Sequence, residues 1–235
     1  MEIISGIYWD KGKRGNNQDS LMLEQVYTSR GRVLLAVVSD GIGGLEEGET
    51  ASGFIIEKLL QNFYQEIIIL IGKKRGKVPL KRSFLRCFYE INQLLNQYGK
   101  SKEIRLGATV SLLLVWKKNY LLMHLGDSRI YQIKKGIQKM TRNHSAGGGI
   151  LKKCMGSFAY EMPDIRTGRI LGKTGFLLCT DGFDHYIREE MLLEALSPKE
   201  IQKEEQIDKR LKQLVSFEIN RGERDNISAI YLVCS

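Results

Sequence analysis

The stretch VLLAVVSDGIGG, residues 33–44, joins six consecutive apolar residues to Ser39, Asp40 and a glycine-rich segment. A short apolar run that ends at a turn signal predicts a buried strand. Such a strand carries Asp40 to the rim of the fold, where loop residues often have functional roles. Two other apolar runs end in the same way, YLLMHLGD at Asp127 and FLLCTD at Asp181.

Two more aspartates lie beside strands at either end of the chain, Asp19 in NNQDS and Asp225 in RDN. Each aspartate alone has an ordinary explanation, since Asp and Gly are common turn formers. Five in one pattern favour a shared site. If they converge, their mutual repulsion requires cations, and hard carboxylate oxygens favour Mg²⁺ or Mn²⁺.

The surrounding periodicity predicts an antiparallel α/β sandwich rather than a doubly wound parallel sheet. Helical spacing of apolar residues predicts a helical hairpin over about residues 48–71 and 80–98. Turn signals at residues 117–119 and 135–136 predict strand hairpins. The sequence Ser197-Pro198-Lys199-Glu200 reads as a capping box, which predicts a helix from Pro198 to near Gly222.

Composition restricts the classes of protein further. With 235 residues, 43% hydrophobic and 27% charged, residues 1–235 are expected to form a single folded domain. The apolar run at residues 33–38 is far too short to span a bilayer, and the N-terminus lacks a signal-peptide core, so no membrane partner is expected. None of the four cysteines forms a CxxC pair, which favours reduced thiols in a cytoplasmic protein.

The net charge is +9, which leaves nucleic acid, anionic lipid and acidic protein open as partners. The densest basic stretch, residues 73–82, contains Gly76 and Pro79 and is predicted to be a solvated loop between two helices. No nucleic-acid-binding motif accompanies it, so a nucleic-acid partner is not expected.

Six short motifs follow one another along the chain. They are Arg14-Gly15-Asn16-Asn17-Gln18-Asp19-Ser20, Asp40-Gly41-Ile42-Gly43-Gly44, Gly107-Ala108-Thr109, Gly126-Asp127-Ser128-Arg129, Thr180-Asp181-Gly182 and Asp225-Asn226. In this order and approximate spacing they resemble the metal-dependent protein phosphatases of the 2C type, in the compact bacterial form. The resemblance covers nearly the whole chain.

The resemblance implies a four-layer αββα sandwich, with two antiparallel sheets between helical hairpins. It also implies two Mn²⁺ or Mg²⁺ ions on Asp19, Asp40, the Gly41 carbonyl, Asp181 and Asp225. A third ion would lie on Asp127 with Asp181. Arg14 would bind the substrate phosphate, and Asn226 would support the metal-bound water. Asn17 and Thr109 would shape the site, and Arg129 would anchor a strand.

The implied activity is hydrolysis of phosphoserine and phosphothreonine monoesters in proteins, by attack of a hydroxide that bridges the metal ions. The partners would be a phosphorylated protein substrate and an opposing serine/threonine kinase. A cysteine phosphatase is disfavoured, because neither Cys154 nor Cys179 begins a CxxxxxR loop.

Three departures from the family pattern qualify the resemblance. Ile42 stands where some relatives carry a histidine proposed as a general acid, and Asn143 replaces an aspartate beside His144. Residues 145–155, with glycines at 147–149, stand where relatives carry a long flap, which predicts an open site that discriminates little between small phosphate esters. His144 remains a candidate proton donor. The alternative function is a catalytically weak regulatory or scaffold module on the same fold.

Overall fold

A computed structural model describes residues 1–42, 47–145, 151–156 and 159–235. Two five-stranded antiparallel sheets form the centre of the protein, and a two-stranded ribbon adjoins them. The first sheet has the order β1 (Ile3–Asp10), β12 (Ile227–Cys234), β11 (Thr174–Cys179), β7 (Arg129–Ile133) and β8 (Ile137–Lys139). The second sheet has the order β10 (Asp164–Arg169), β6 (Asn119–Leu125), β5 (Val110–Trp116), β3 (Gly31–Asp40) and β2 (Asp19–Thr28). The ribbon pairs β4 (Gly107–Ala108) with β9 (Met155–Gly156).

Helices lie on the outer faces of both sheets. The first helical layer contains α1 (Gly48–Asn62), a π-helical turn (Phe63–Ile67), α2 (Ile68–Gly72) and α3 (Lys77–Lys102). The second contains α4 (Glu189–Ala195) and α5 (Glu204–Arg221). Together with the sheets they form the predicted four-layer αββα sandwich.

The packing of strand β3 explains why residues 33–38 are all apolar. Its odd-numbered residues Val33, Leu35 and Val37 pack in the core under α1–α3, and its even-numbered residues pack between the two sheets. Successive side chains of a strand point to opposite faces, so a strand covered on both faces needs apolar residues throughout. A third core lies between the first sheet and α4–α5.

The strand hairpins were predicted correctly, and two helix boundaries were not. Residues 77–82, predicted as part of a solvated loop, form the start of α3. Pro79 is compatible with this position because the first N–H groups of a helix have no intrahelical partner. Lys117-Lys118 joins β5 to β6, with Lys117 in the left-handed region at φ 50°. The helix expected from Pro198 begins instead at Glu204, while the Glu200 N–H bonds to the Ser197 carbonyl in a simple turn. The end near Gly222 was correct, since Gly222 terminates α5 at φ 104°.

The reason for the late start is Ile201, which is fully buried in the core under α4–α5. A turn at 198–200 and the extended backbone of Lys203 separate Ile201 from the helix, and the burial of its apolar side chain outweighs the local capping signal. The α5 cap uses Gln206 instead, whose Oε1 accepts the N–H groups of Gln202 and Lys203.

The four cysteines are all buried and unpaired, and burial raises the pKa of each thiol to about 12. Within the described ranges, no helix has both the length and the apolar character needed to cross a bilayer.

Candidate metal centre

Asp19 and Asp40 are direct cross-strand neighbours at one end of the second sheet. Asp19 is the first residue of β2 and Asp40 is the last residue of β3, so antiparallel pairing places the two carboxylates side by side. Asp19 is only 2% exposed. Asp40 is partly buried, and two like charges placed side by side in this environment are unfavourable without a compensating cation.

The two oxygens of the Asp19 carboxylate have different surroundings. Oδ2 accepts hydrogen bonds from Ser228 Oγ at 2.7 Å and Thr180 Oγ1 at 2.9 Å. Oδ1 is buried and has no hydrogen-bond partner among the described residues. Thr180 and Ser228 therefore fix the orientation of the carboxylate and leave one oxygen available for a ligand.

The sequence alone did not predict this role for either hydroxyl. The position of Thr180 directly before Asp181, within one of the quoted motifs, could have indicated a role in the site. Ser228 had none, because a single serine in an apolar strand is unremarkable in sequence. Its contact with Asp19 joins residues 209 positions apart.

The backbone at Asp40 is held by Thr109. The Asp40 N–H donates to Thr109 Oγ1 at 3.0 Å, and the Thr109 N–H donates to the Asp40 carbonyl at 2.8 Å. Thr109 Oγ1 is also 2.6 Å from Ser128 Oγ, which ties β3 to the segment after Asp127. These contacts agree with the prediction that Thr109 shapes the site.

Gly41 lies where no larger residue fits. Its N–H donates to the Gln18 carbonyl at 3.0 Å. A Cβ at this position would overlap the Gly48 carbonyl oxygen and lie 2.8 Å from the Gln18 carbonyl oxygen. The close approach of three backbone segments explains the glycine and keeps the turn after Asp40 narrow.

Asp127 and Asp181 reach the same end of the sandwich from neighbouring elements. Asp127 lies between β6 and β7, and Asp181 follows β11 directly. Burial, with a smaller contribution from Asp181, raises the pKa of Asp127 to about 6. Burial, followed by Asp225, raises the pKa of Asp181. Arg129 forms an ion pair with Asp184, which anchors the start of β7 as predicted.

Asp225 is held by Arg14 across the chain. Arg14 Nε and Nη2 donate to the two carboxylate oxygens at 3.0 and 2.9 Å, a bidentate pair that is about half exposed. The side chain of Asn226 forms hydrogen bonds to the loop that carries Arg14. Its Oδ1 accepts from the Gln18 N–H, and its Nδ2 donates to the carbonyls of Lys11 and Asn16.

The electrostatics of the group as a whole favour a bound cation. Burial, followed by the repulsion of Asp19, raises the pKa of Asp40 well above its ordinary value, and Asp181, Asp127 and Asp225 raise it further. Burial likewise raises the pKa of Asp19 to about 7. Every one of these shifts reports a carboxylate that is costly to ionise in the absence of positive charge.

The described residues include no group of three acidic, histidine or cysteine side chains already gathered as a finished metal site. The donor set nevertheless fits hard divalent ions, because it offers carboxylate and carbonyl oxygens and includes the buried, unpartnered Oδ1 of Asp19.

His144 lies beneath the segment that carries Asp127. Its Nδ1 accepts the Gly126 N–H at 3.2 Å, its Nε2 is 3.5 Å from Asp164, and its ring stacks on His124 at 4.9 Å. Both ring nitrogens are thus engaged within the fold, which favours a positioning role over proton donation. Asn143 accepts the Ser145 N–H at 2.9 Å, a local turn contact.

Two expectations fall outside the described residues. Gly43 and Gly44 of the Asp-Gly-Ile-Gly-Gly motif lie there, as do the glycines at 147–149 that stand where relatives have a flap. The described residues on either side of the second gap approach each other, since Ser145 and Leu151 form an isolated antiparallel bridge.

The sequence of the chain is similar to those of known protein phosphatases. The Protein phosphatase PhpP of Streptococcus pneumoniae is 28% identical over 143 residues, which are 60% of this chain and 54% of that protein. The chain thus spans about half the length of this curated relative.

Solved structures share the whole fold. A bacterial serine phosphatase bearing an R161E mutation is 25% identical, with a TM-score of 0.82 and full coverage of both chains. The catalytic domain of the serine threonine protein phosphatase PstP, solved in complex with two manganese ions, has a TM-score of 0.78 at 20% identity, with 99% of each chain covered.

The family model for Protein phosphatase 2C matches residues 12–226, which include all five aspartates of the site. The chain therefore belongs to the protein phosphatase 2C family.

Proposed function

We propose that the protein is a metal-dependent serine/threonine phosphatase that hydrolyses phosphoserine and phosphothreonine monoesters in other proteins. The observation that carries the proposal is the cross-strand pair of Asp19, which is buried, and Asp40, which is partly buried, with Oδ1 of Asp19 unpartnered. Neighbouring carboxylates of this kind support the binding of divalent cations. Bound cations can in turn neutralise the negative charge of a phosphate monoester and so allow it to bind beside the carboxylates.

In this proposal, Asp19, Asp40, the Gly41 carbonyl, Asp181 and Asp225 hold two Mn²⁺ or Mg²⁺ ions, and Asp127 with Asp181 holds a third. Bound divalent ions supply Lewis-acid charge to the phosphate oxygens and make water a nucleophile at neutral pH. The PstP catalytic domain, which has the same fold, is in complex with two manganese ions, and this supports the proposed requirement for divalent metal.

The chain's own residues then position the reactants. Ser228 and Thr180 hold the Asp19 carboxylate in one orientation, and Thr109 holds the backbone of Asp40. Arg14 leaves Asp225 and binds the substrate phosphate through its planar guanidinium group. Asn226 keeps the Arg14 loop in place, and the prediction that it supports the metal-bound water stays a prediction. Phosphoryl transfer depends chiefly on such positioning and on charge stabilisation.

The proposed activity implies two partners for the protein. These are a phosphorylated protein substrate and the serine/threonine kinase that phosphorylates that substrate. The buried, unpaired cysteines support a reducing compartment such as the cytoplasm.

The direct experiment is hydrolysis of p-nitrophenyl phosphate and of a phosphothreonine peptide with Mn²⁺, with Mg²⁺ and with a chelator. Asp40→Asn should abolish turnover on both substrates. The exposed Asp208→Asn is the matched control and should retain it. Turnover that persists in the chelator would contradict the metal requirement. No turnover by a folded protein that binds Mn²⁺ would favour the alternative function, a regulatory or scaffold module.

A further inference from the structure

The end of the sandwich opposite the aspartates is strongly basic. Five turns close this end, and we call them together the basic pole: residues 28–31, 73–76, 117–118, 134–136 and 170–173. They contain nine cationic residues and no Asp or Glu: Arg30, Lys73, Lys74, Arg75, Lys117, Lys118, Lys134, Lys135 and Lys173.

The topology places these turns together. Strand β3 runs from Gly31 at the basic pole to Asp40 at the metal centre, a distance of roughly 30 Å at the usual rise of a strand. The turn at 170–173 links the two sheets, and the Ile170 N–H donates to the Lys118 carbonyl at 2.9 Å. The cationic turns of both sheets are therefore one continuous surface.

Two shallow clefts open on this surface. One of about 380 Å³ is lined by Arg30, Lys74, Arg75 and Lys117, which come from three different turns. The other, of about 600 Å³, is lined by Lys134, Lys135, Lys173 and the adjacent Lys199. No acidic residue lines either cleft. Each cleft thus gathers several cations from separate parts of the chain.

The cations of the pole are available to a partner. Across the described ranges, none of the nine forms an ion pair, and six of them are exposed. The Nε of Arg30 is buried without a hydrogen-bond partner. Lys173 is engaged, since its Nζ donates to the Ile201 carbonyl at 2.8 Å. The exposed Glu2 lies at the same end, before β1, so the nine cations leave a large excess of positive charge on this face. Such an excess is an electrostatic docking surface.

The shape and composition of the pole favour a membrane over a nucleic acid. Seven of the nine cations are lysines, which act as point charges, whereas arginine suits bidentate recognition of single phosphates. The cations surround two separate shallow clefts rather than one continuous groove, and the five turns contain no aromatic residue. The exposed Tyr27 directly precedes the first turn, but its ring already packs against the Arg32 guanidinium, 4.9 Å from the ring centroid, instead of being free to stack on a base. Leu171, 67% exposed, projects among them.

An apolar side chain surrounded by lysines suits the boundary between anionic headgroups and acyl chains. We infer that the basic pole docks on the surface of an anionic lipid bilayer. This inference revises the expectation that the protein has no membrane partner. Docked in this way, the aspartate centre faces away from the bilayer, where it can reach phosphorylated segments tethered to the same membrane.

The test is sedimentation of the full chain with vesicles of phosphatidylcholine, with or without 30% phosphatidylserine. The test variant is Lys73→Glu/Arg75→Glu/Lys118→Glu, whose three positions are exposed and have ordinary backbone angles. The matched control is Lys100→Glu/Lys209→Glu/Lys212→Glu, which changes net charge equally on the exposed faces of α3 and α5.

We expect binding to phosphatidylserine vesicles at 50 mM salt and a loss of at least tenfold in the test variant. The control should stay within about twofold of the original protein, and Leu171→Ser should weaken binding several-fold. Both triple variants should keep the activity and melting temperature of the original. The inference does not depend on catalysis, so an inactive protein can still confirm it.

Four results would overturn it. The first is equal binding to vesicles without phosphatidylserine, and the second is no binding at 50 mM salt. The third is an equal loss in the control variant, which would show a dependence on net charge alone. The fourth is tighter binding, by tenfold or more, to duplex DNA or to polyglutamate, which would reassign the basic pole to a nucleic acid or an acidic protein.

Discussion

Arg14 and Asp225 form a bidentate ion pair, with Nε–Oδ1 and Nη2–Oδ2 distances of 3.0 and 2.9 Å. The two residues are 211 positions apart and lie at the mouth of the aspartate centre. Arg14 is proposed to bind substrate phosphate and Asp225 is proposed to bind metal. The ion pair therefore occupies both the guanidinium group that would bind phosphate and the carboxylate that would bind metal. Metal and phosphate must both compete with the pair.

Removal of Arg14 should therefore change two affinities in opposite directions. In Arg14→Gln, the apparent affinity for Mn²⁺ should rise about two- to fivefold, the modest effect expected for an exposed ion pair. The KM for a phosphopeptide should also rise, because the guanidinium group is lost. Calorimetric titration with Mn²⁺ and steady-state kinetics measure the two effects. Lys13→Gln, one position away, should alter neither, and a fall in Mn²⁺ affinity in Arg14→Gln would refute the competition.

The metal-free protein should become more stable as the pH falls from 8 to 5. The pKa of Asp19 is about 7 in the folded state against an ordinary 3.8, so between these values the folded state binds more protons than the unfolded state. The contribution of Asp19 to the free energy of unfolding is then greatest below about pH 4 and is lost as the pH rises through 7. Thermal unfolding in a chelator should show a melting temperature higher by about 5 °C at pH 5.

The substitution Asp19→Asn should flatten this profile, and saturating Mn²⁺ should abolish it, because a bound cation favours the ionised carboxylate. Asp208→Asn, on the exposed face of α5, should leave the slope unchanged. A melting temperature that rises from pH 5 to pH 8 in the chelator would show that other groups dominate.

The hydroxyl of Ser228 should affect metal binding although it is not itself expected to be a ligand. Ser228→Ala removes the 2.7 Å hydrogen bond to Asp19 Oδ2 and leaves only Thr180 to orient the carboxylate. Loss of such a supporting contact typically weakens metal affinity about tenfold. Calorimetry with Mn²⁺ measures the change, with Ser216→Ala on the surface of α5 as the control. Unchanged affinity would mean that Thr180 alone orients Asp19.

A methyl group at Gly41 should disrupt the centre. The Cβ of Gly41→Ala overlaps the Gly48 carbonyl, and neither backbone segment can move without displacing Asp40. We expect a destabilisation of about 2 kcal/mol or more and loss of turnover. Gly53→Ala is the matched control. Its Cβ meets nothing closer than 3.9 Å within α1, so it should be neutral or slightly stabilising. Thermal unfolding of both variants decides the matter, and equal melting temperatures would contradict the steric argument.

Local patterns in the sequence predicted the parts of the fold that depend on local physics. The apolar runs before Asp40, Asp127 and Asp181 form strands whose ends meet at one rim, because buried strands carry their terminal residues there. The hairpin at Lys117-Lys118 and the end of α5 at Gly222 depend on backbone conformations available within a few residues. The capping signal at Ser197 was equally local, but the burial of Ile201 outweighed it.

By itself, then, the sequence determined the layers of the sandwich, the positions of the strand ends and the chemistry gathered there. Only the tertiary structure decided which groups touch: Ser228 with Asp19, Arg14 with Asp225, and the turns that make up the basic pole. These contacts join residues far apart in the chain, so they depend on how the two sheets stack and in which register they pair. Short-range periodicity carries no information about the stacking of the sheets or the register of their strands, because it records only which face of an element is buried.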